Sequence, residues 1–233
     1  MFITAALIIA AGVIINKAGY TEVSDFFSSF ANSFAAHENP KTLFKAEDEE
    51  DWRLILVNYQ NPVPEGFETE LISIRNNQEV DARIYPDLQE MFDDARAEGV
   101  MPLVYSSYRT TQKQQQLYDD EIATYRAQGY SYEEAEKIAK TWVAVPGTSE
   151  HQIGLAVDIT SDNQETQDPS VVWQWLKENS YKYGFILRYP EDKTEITGIS
   201  FEPWHYRYVG KAAAKEIYES GVCLEEYLNK ANS

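Results

Sequence analysis

The chain opens on an almost wholly apolar run over residues 1–15, ended by Asn16 and Lys17. Every face of that run is apolar, so it lacks the stripe of an amphipathic helix, and no basic segment precedes it. The pattern predicts a membrane anchor or signal-anchor over residues 1–19. A short leader core and a buried helix are the other readings. Residues 20–50 turn polar and lead into the acidic cluster Glu47, Asp48, Glu49, Glu50 and Asp51. A stretch that can bury so little is expected to be a stalk, which leaves residues 51–233 as the folded domain.

Inside that domain the periodicity alternates between two and 3.6. Residues 52–57 predict a first strand, and residues 70–74 and 82–84 two short ones. Pro86 opens a helix over residues 87–98, where Leu88, Met91, Phe92 and Ala95 form one stripe and Gly99 ends it. Residues 101–106 predict a strand that leaves through Ser107, Tyr108 and Arg109 into a helix over 112–127. Ser131 and Glu134 have capping-box form and start another helix, ending near Trp142. Leu155, Val157 and Ile159 then alternate with Gly154, Ala156 and Asp158, the period of a strand. A helix follows over 169–179 with Val172, Trp173 and Leu176 inward. Strands are expected over 183–189, 198–201 and 204–209, and closing helices over 211–220 and 224–231. The strands cluster late instead of alternating with helices. The fold class is therefore α+β, a central, mainly antiparallel sheet flanked by helices.

A chain of 233 residues allows one principal domain that needs no staples. Its net charge of -18 excludes the basic face that nucleic acid demands and a polybasic grip on anionic lipid. Cys223 is the one cysteine, so no intramolecular disulfide and no cysteine-rich metal site can form. In a helical tail it is expected to be buried. His37 sits among stalk residues and reads as an ordinary exposed side chain.

The other two histidines keep acidic company. Glu150 and Asp158 flank His151, and Glu202 stands three residues before His205. Gly154 and Ala156 leave room beside the chain for an ion. Two imidazole nitrogens, one carboxylate and a spare acid suit a hydrolytic zinc site; a salt-bridged pair of strands is the alternative. Arg109 falls at a strand-to-helix corner, a common place for a ligand-contacting side chain.

Ser149-x-His151-x-x-Gly154-x-Ala156-x-Asp158, followed by Glu202-x-x-His205, resembles the zinc D-alanyl-D-alanine carboxypeptidases of bacterial cell walls. The likeness is to the VanY-like branch, related in fold to lysostaphin-type peptidases and the hedgehog signalling domain. Ser107-Tyr108-Arg109 and residues 184–190 and 202–208 extend it, over roughly residues 51–227. The resemblance implies a hedgehog/D,D-peptidase-like fold, with Zn²⁺ held by His151, Asp158 and His205. It implies Glu202 as the general base and Arg109 as the group that stabilises the oxyanion. By the same resemblance Gln114 contacts substrate, Ser149 lies near its terminal carboxylate and Tyr189 near the reacting carbonyl. Trp204 is expected to pack beside the site, with Arg188 and Arg207 as supports behind it.

The activity so implied is removal of the terminal D-alanine from a peptidoglycan stem peptide. With the apolar N-terminal run, the expected setting is a monomer anchored at the cell membrane of a Gram-positive bacterium, its catalytic domain outside. An L,D-carboxypeptidase acting on tetrapeptide stems would use the same chemistry. The fold also permits a non-catalytic, metal-containing wall-binding module, against which the intact pair of Glu202 and Arg109 argues.

Overall fold

A computed structural model describes residues 52–231. The expected anchor over residues 1–19, the stalk over 20–50 and His37 lie outside them. Among the described residues no helix is long and apolar enough to cross a membrane. This overturns the expected membrane-anchored localisation. The physical reason is length, because the apolar start over residues 1–15 is shorter than the roughly 17–25 residues of a spanning helix.

Strands β1 (Leu71–Ser73) and β2 (Glu79–Asp81) form an antiparallel hairpin. Their connection passes through Asn76 and Asn77 at positive φ, which asparagine tolerates better than most residues. Helix α1 (Tyr85–Ala97) takes Pro86 in its first turn, where its lack of an N–H costs nothing, and buries Leu88, Met91, Phe92 and Ala95. After β3 (Pro102–Ser106) come α2 (Thr111–Ala127) and α3 (Tyr132–Ala139). Thr110 caps α2 by accepting from the Lys113 amide, and the Ser131–Glu134 capping box is closed at both ends on α3. Then follow β4 (Ala156–Ser161), α4 (Pro169–Asn179), β5 (Phe185–Leu187), the single turn α5 (Thr194–Thr197) and β6 (His205–Tyr208). Helices α6 (Lys211–Ser220) and α7 (Leu224–Ala231) close the chain.

The four longer-range strands make one sheet in the order β3-β4-β6-β5, every neighbouring pair antiparallel. The α+β expectation therefore holds. Strand alternation gives the sheet two different faces. Val104, Val157, Ile159, Phe185, Tyr206 and Tyr208 pack into the main core with the α1 stripe and with Val172, Trp175 and Leu176 of α4. Each such fully buried side chain contributes about 1.5–3 kcal/mol. The alternate positions carry Asp158, His205 and Arg207, and Ile186, which joins Ala213, Ala214, Ile217 and Leu224 in a second cluster. Cys223 is buried, and burial pushes its thiol up to about 11.

Four expectations fail for identifiable reasons. Residues 52–57 form no strand; Trp52–Leu54 is a single 3-10 turn. Trp52 stacks on Tyr208 with 6.0 Å between centroids, and the carbonyls of Arg53 and Ile55 accept from Arg207 at 2.9 and 2.8 Å instead of joining a ladder. Residues 82–84 leave β2, because the Ile84 amide turns back to the Asp81 carbonyl to enter α1. Residues 198–201 are irregular, with the Ser200 amide bound to the Thr141 carbonyl. In α4 the inward tryptophan is Trp175; Trp173 is half-buried and donates its indole N–H to the Ile159 carbonyl at 2.8 Å.

Candidate metal centre and active-site cleft

Pairing between strands assembles the site. Asp158 on β4 lies opposite His205 on β6 and, on its other side, opposite Ser106 on β3. Three neighbouring strands thus set Ser106, Asp158 and His205 in one row. His151 comes from the 3-10 turn Glu150–Ile153, which Gly154 ends at φ 71. A Cβ on Gly154 would lie 3.0 Å from the Asp81 amide nitrogen, the same amide that donates to the Gly154 carbonyl. Glycine is required there both for the left-handed turn and for the close approach of β2.

His151, Asp158 and His205 are buried, and each offers a ligand atom within 4.8 Å of the others. His151 Nδ1 is 2.7 Å from the Ser107 carbonyl oxygen. A carbonyl only accepts, so Nδ1 carries the proton and Nε2 turns a lone pair inward. Burial and the nearby Arg109 charge push His151 down to about 4, so the ring is neutral at neutral pH. Its Nε2 nevertheless faces Asp158 Oδ2 at 3.3 Å, a lone pair against a carboxylate. Burial opposes ionisation of Asp158, but the carboxyl is still held well below its ordinary range, with the charged His205 beside it as the partner that favours the anion. His205 presents Nδ1 to Asp158 Oδ1 at 3.0 Å. Burial works against its charge, yet the hydrogen bond to Asp158 and the nearby carboxylates of Glu150 and Glu202 raise it to about 9. The cluster is thus built for positive charge at its centre. Two imidazoles and a carboxylate fit a zinc ion.

Glu202 sits beside this set, its carboxylate 3.7 Å from His205 Nδ1. Burial, with Asp158 adding to it, raises Glu202 to about 7 against the pull of His205 and Arg109. Such a carboxylate can take and return a proton near neutrality. Arg109 is held on several sides. Its Nε and Nη2 donate to Ser106 Oγ at 3.0 and 2.7 Å, Nη2 also to Asp158 Oδ2 at 2.6 Å, and Nη1 to Gln114 Oε1 at 3.4 Å. Gln114 is fully buried and anchored through Nε2 to the Ala144 carbonyl at 2.7 Å. The Tyr189 ring lies 4.8 Å from that of His205.

All eight residues singled out in the sequence line one cleft of about 410 Å³: Arg109, Gln114, Ser149, His151, Asp158, Tyr189, Glu202 and His205. Trp204 lines it as well. Among the wall residues that escape sequence reasoning are Tyr105 and Trp142. Tyr105 belongs to β3, where the register shifts between Val104 and Ser106, and nothing in the local pattern announces that irregularity. Burial, then Asp158 and Glu202, raise the Tyr105 phenol above its ordinary value.

Behind the cleft lies a second group of buried charges. Glu150 Oε1 accepts from Arg188 Nε at 2.7 Å and from Arg207 Nη1 at 2.9 Å. Arg188 also donates from Nη1 and Nη2 to both oxygens of Glu225 at 2.9 and 2.7 Å. Burial opposes ionisation of Glu150, but the two arginines outweigh it and hold the carboxyl below its ordinary range.

Residues 77–211 match the family model VanY, D-alanyl-D-alanine carboxypeptidase. A D-alanyl-D-alanine carboxypeptidase of Enterococcus faecalis is 57% identical over 197 residues, covering 82% of this chain and 73% of that protein. A mutant of the vancomycin-resistance D,D-pentapeptidase VanY from a VanB-type cassette has been solved in complex with Zn(II). It is 59% identical with a TM-score of 0.74, over 76% of this chain and 99% of that one. VanYB in complex with D-alanine-D-alanine is 59% identical with a TM-score of 0.75, over 76% of this chain and 98% of that one.

Proposed function

The chain belongs to the VanY family of D-alanyl-D-alanine carboxypeptidases, and on that premise we propose how its cleft works. The protein is a zinc-dependent carboxypeptidase that removes the terminal D-alanine from peptidoglycan stem peptides. One observation carries the assignment of residues: His151, Asp158 and His205 meet beside Glu202 and Arg109 in a single cleft.

His151 through Nε2, Asp158 through a carboxylate oxygen and His205 through Nδ1 would hold the zinc. The bound ion supplies Lewis acidity toward the scissile carbonyl and toward water. Glu202 takes a proton from the attacking water as its oxygen bonds to the carbonyl carbon. It returns that proton to the amide nitrogen as the C–N bond breaks, so a carboxylic acid and free D-alanine result. Arg109 stabilises the negative charge that develops on the carbonyl oxygen, its fork steadied by Ser106 and Gln114. Ser149 lies toward the terminal carboxylate, Gln114 contacts substrate from the cleft wall, and Tyr189 stands beside the reacting carbonyl.

The test uses the purified full chain and a stem pentapeptide ending in D-Ala-D-Ala. Release of D-alanine, its arrest by a chelator and its return on adding zinc are the expected results. Release insensitive to the chelator, or none from zinc-loaded protein, overturns the proposal. A tetrapeptide stem run alongside separates the D,D from the L,D specificity.

A further inference from the structure

Two buried polar atoms face each other without a hydrogen-bond partner among the described residues: Nε2 of His205 and Oε2 of Glu150. They are 3.6 Å apart, and neither side chain is more than 5% exposed. That separation is too long for a hydrogen bond, but no large movement is needed to close it.

The carboxylate is not free to swing away. Its other oxygen is taken by Arg188 and Arg207. Arg188 is pinned by Glu225, and Arg207 by the carbonyls of Arg53, Ile55 and Tyr208. The uncommitted oxygen of Glu150 is therefore aimed at the outer nitrogen of His205. The inner nitrogen, Nδ1, already faces Asp158. When Nδ1 serves a cation, the ring proton must sit on Nε2, and it needs an acceptor. His151 meets the same need from the opposite ring atom, with Nδ1 bound to the Ser107 carbonyl at 2.7 Å. A second nitrogen tied to a carbonyl or carboxylate is what fixes the tautomer and orientation of a ligating histidine.

We propose that Glu150 is a positioning residue of the metal centre: its Oε2 accepts the Nε2 proton of His205 and thereby commits Nδ1 to the ion. The two arginines keep the carboxylate in place. This role rests on the zinc site assigned above.

The zinc-loaded wild-type chain is the first test, by long-range proton–nitrogen correlation of its histidines. His205 is expected to show a slowly exchanging proton on Nε2 and the signature of a ligand at Nδ1. Metal on Nε2, or an Nε2 proton that exchanges like that of an exposed imidazole, overturns the proposal. The second test is zinc affinity by competition with a chromogenic chelator. In Glu150→Gln the arginines claim the amide oxygen, so the amide NH₂ opposes the His205 N–H, and affinity is expected to fall about 10–100-fold. Glu225→Gln takes a carboxylate from the same network but leaves Glu150 facing His205; it is expected to lower Tm and keep wild-type affinity. Unchanged affinity in Glu150→Gln overturns the role, and so does an equal loss in both variants. If Glu150→Gln does not fold, the wild-type spectrum still decides. D-alanine release by the wild type, measured in parallel, separates the two claims: the expected His205 tautomer without release sinks the activity and leaves the pairing standing.

Discussion

Strand β6 carries two clusters of buried charge that are satisfied in different ways. Around Arg207 each charge has an opposite charge supplied by the protein. Its guanidinium reaches the carbonyls of Tyr208, Arg53 and Ile55 and the carboxylate of Glu150, while Arg188 spans Glu150 and Glu225. Two residues away, around His205, that is not so. A lone pair of His151 opposes a carboxylate oxygen at 3.3 Å, and Glu202 crowds in as a second acid. Burial is similar in both places. What differs is whether the protein supplies every counter-charge, and the cluster that lacks one is the cluster proposed to take an ion.

The comparison is sharpest where one side loses activity and the other loses stability. Replacing Glu202 by glutamine keeps the shape of the cleft and removes the proton acceptor. The rate of D-alanine release is expected to fall about 10²–10⁴-fold, with bound zinc and Tm near those of the wild type. A fall in Tm large enough to unfold the chain would place Glu202 with the structural cluster instead.

Arg188→Leu probes the other side. It leaves Glu150 and Glu225 buried without their shared partner, and removing one member of a buried ion pair costs about 3–5 kcal/mol. Urea unfolding of the zinc-loaded protein should show a loss of that size. A change under about 1 kcal/mol, the scale of an exposed pair, would mean that the network is no more than surface charge.

The two clusters also differ in how far they can be read from sequence. The proposed ligands are legible because their signals are local: alternation around Gly154 sets Asp158 on the face away from Val157 and Ile159, and Glu202 stands three residues before His205. The arginine network joins residues 150, 188, 207 and 225, and no periodicity links side chains so far apart. The same blindness explains residues 52–57. Six residues that look like a strand instead lend two carbonyls to Arg207, 154 and 152 positions downstream. In α4, Val172, Trp175 and Leu176 keep the helical spacing; Trp173 breaks it because its indole reaches sideways to β4. Helices with caps or stripes of their own, such as α1, α3 and α4, fall within a few residues of where the pattern puts them.

The smallest expected effect is also the one in which the clusters carry opposite signs. Burial raises the Glu225 carboxyl, but Arg188 and a hydrogen bond from Asn58 outweigh it, so its folded value lies below the ordinary one. Such a group contributes stability above the unfolded value of about 4.3, and that contribution is lost as pH falls through the folded value. Glu202 in the zinc-free chain runs the other way. Its folded value is raised to about 7, so its contribution is whole below about 4.3 and disappears as pH rises through 7. Each slope is bounded by one proton, about 1.4 kcal/mol per pH unit. Urea unfolding of chelated protein from acid to neutral pH, with Glu225→Gln and Glu202→Gln beside the wild type, isolates both. Subtracting the first variant should remove a stabilisation that fades toward acid; subtracting the second should remove one that fades toward neutrality. Slopes of the same sign would erase the distinction between an acid kept ionised by its partners and one kept protonated for want of an ion.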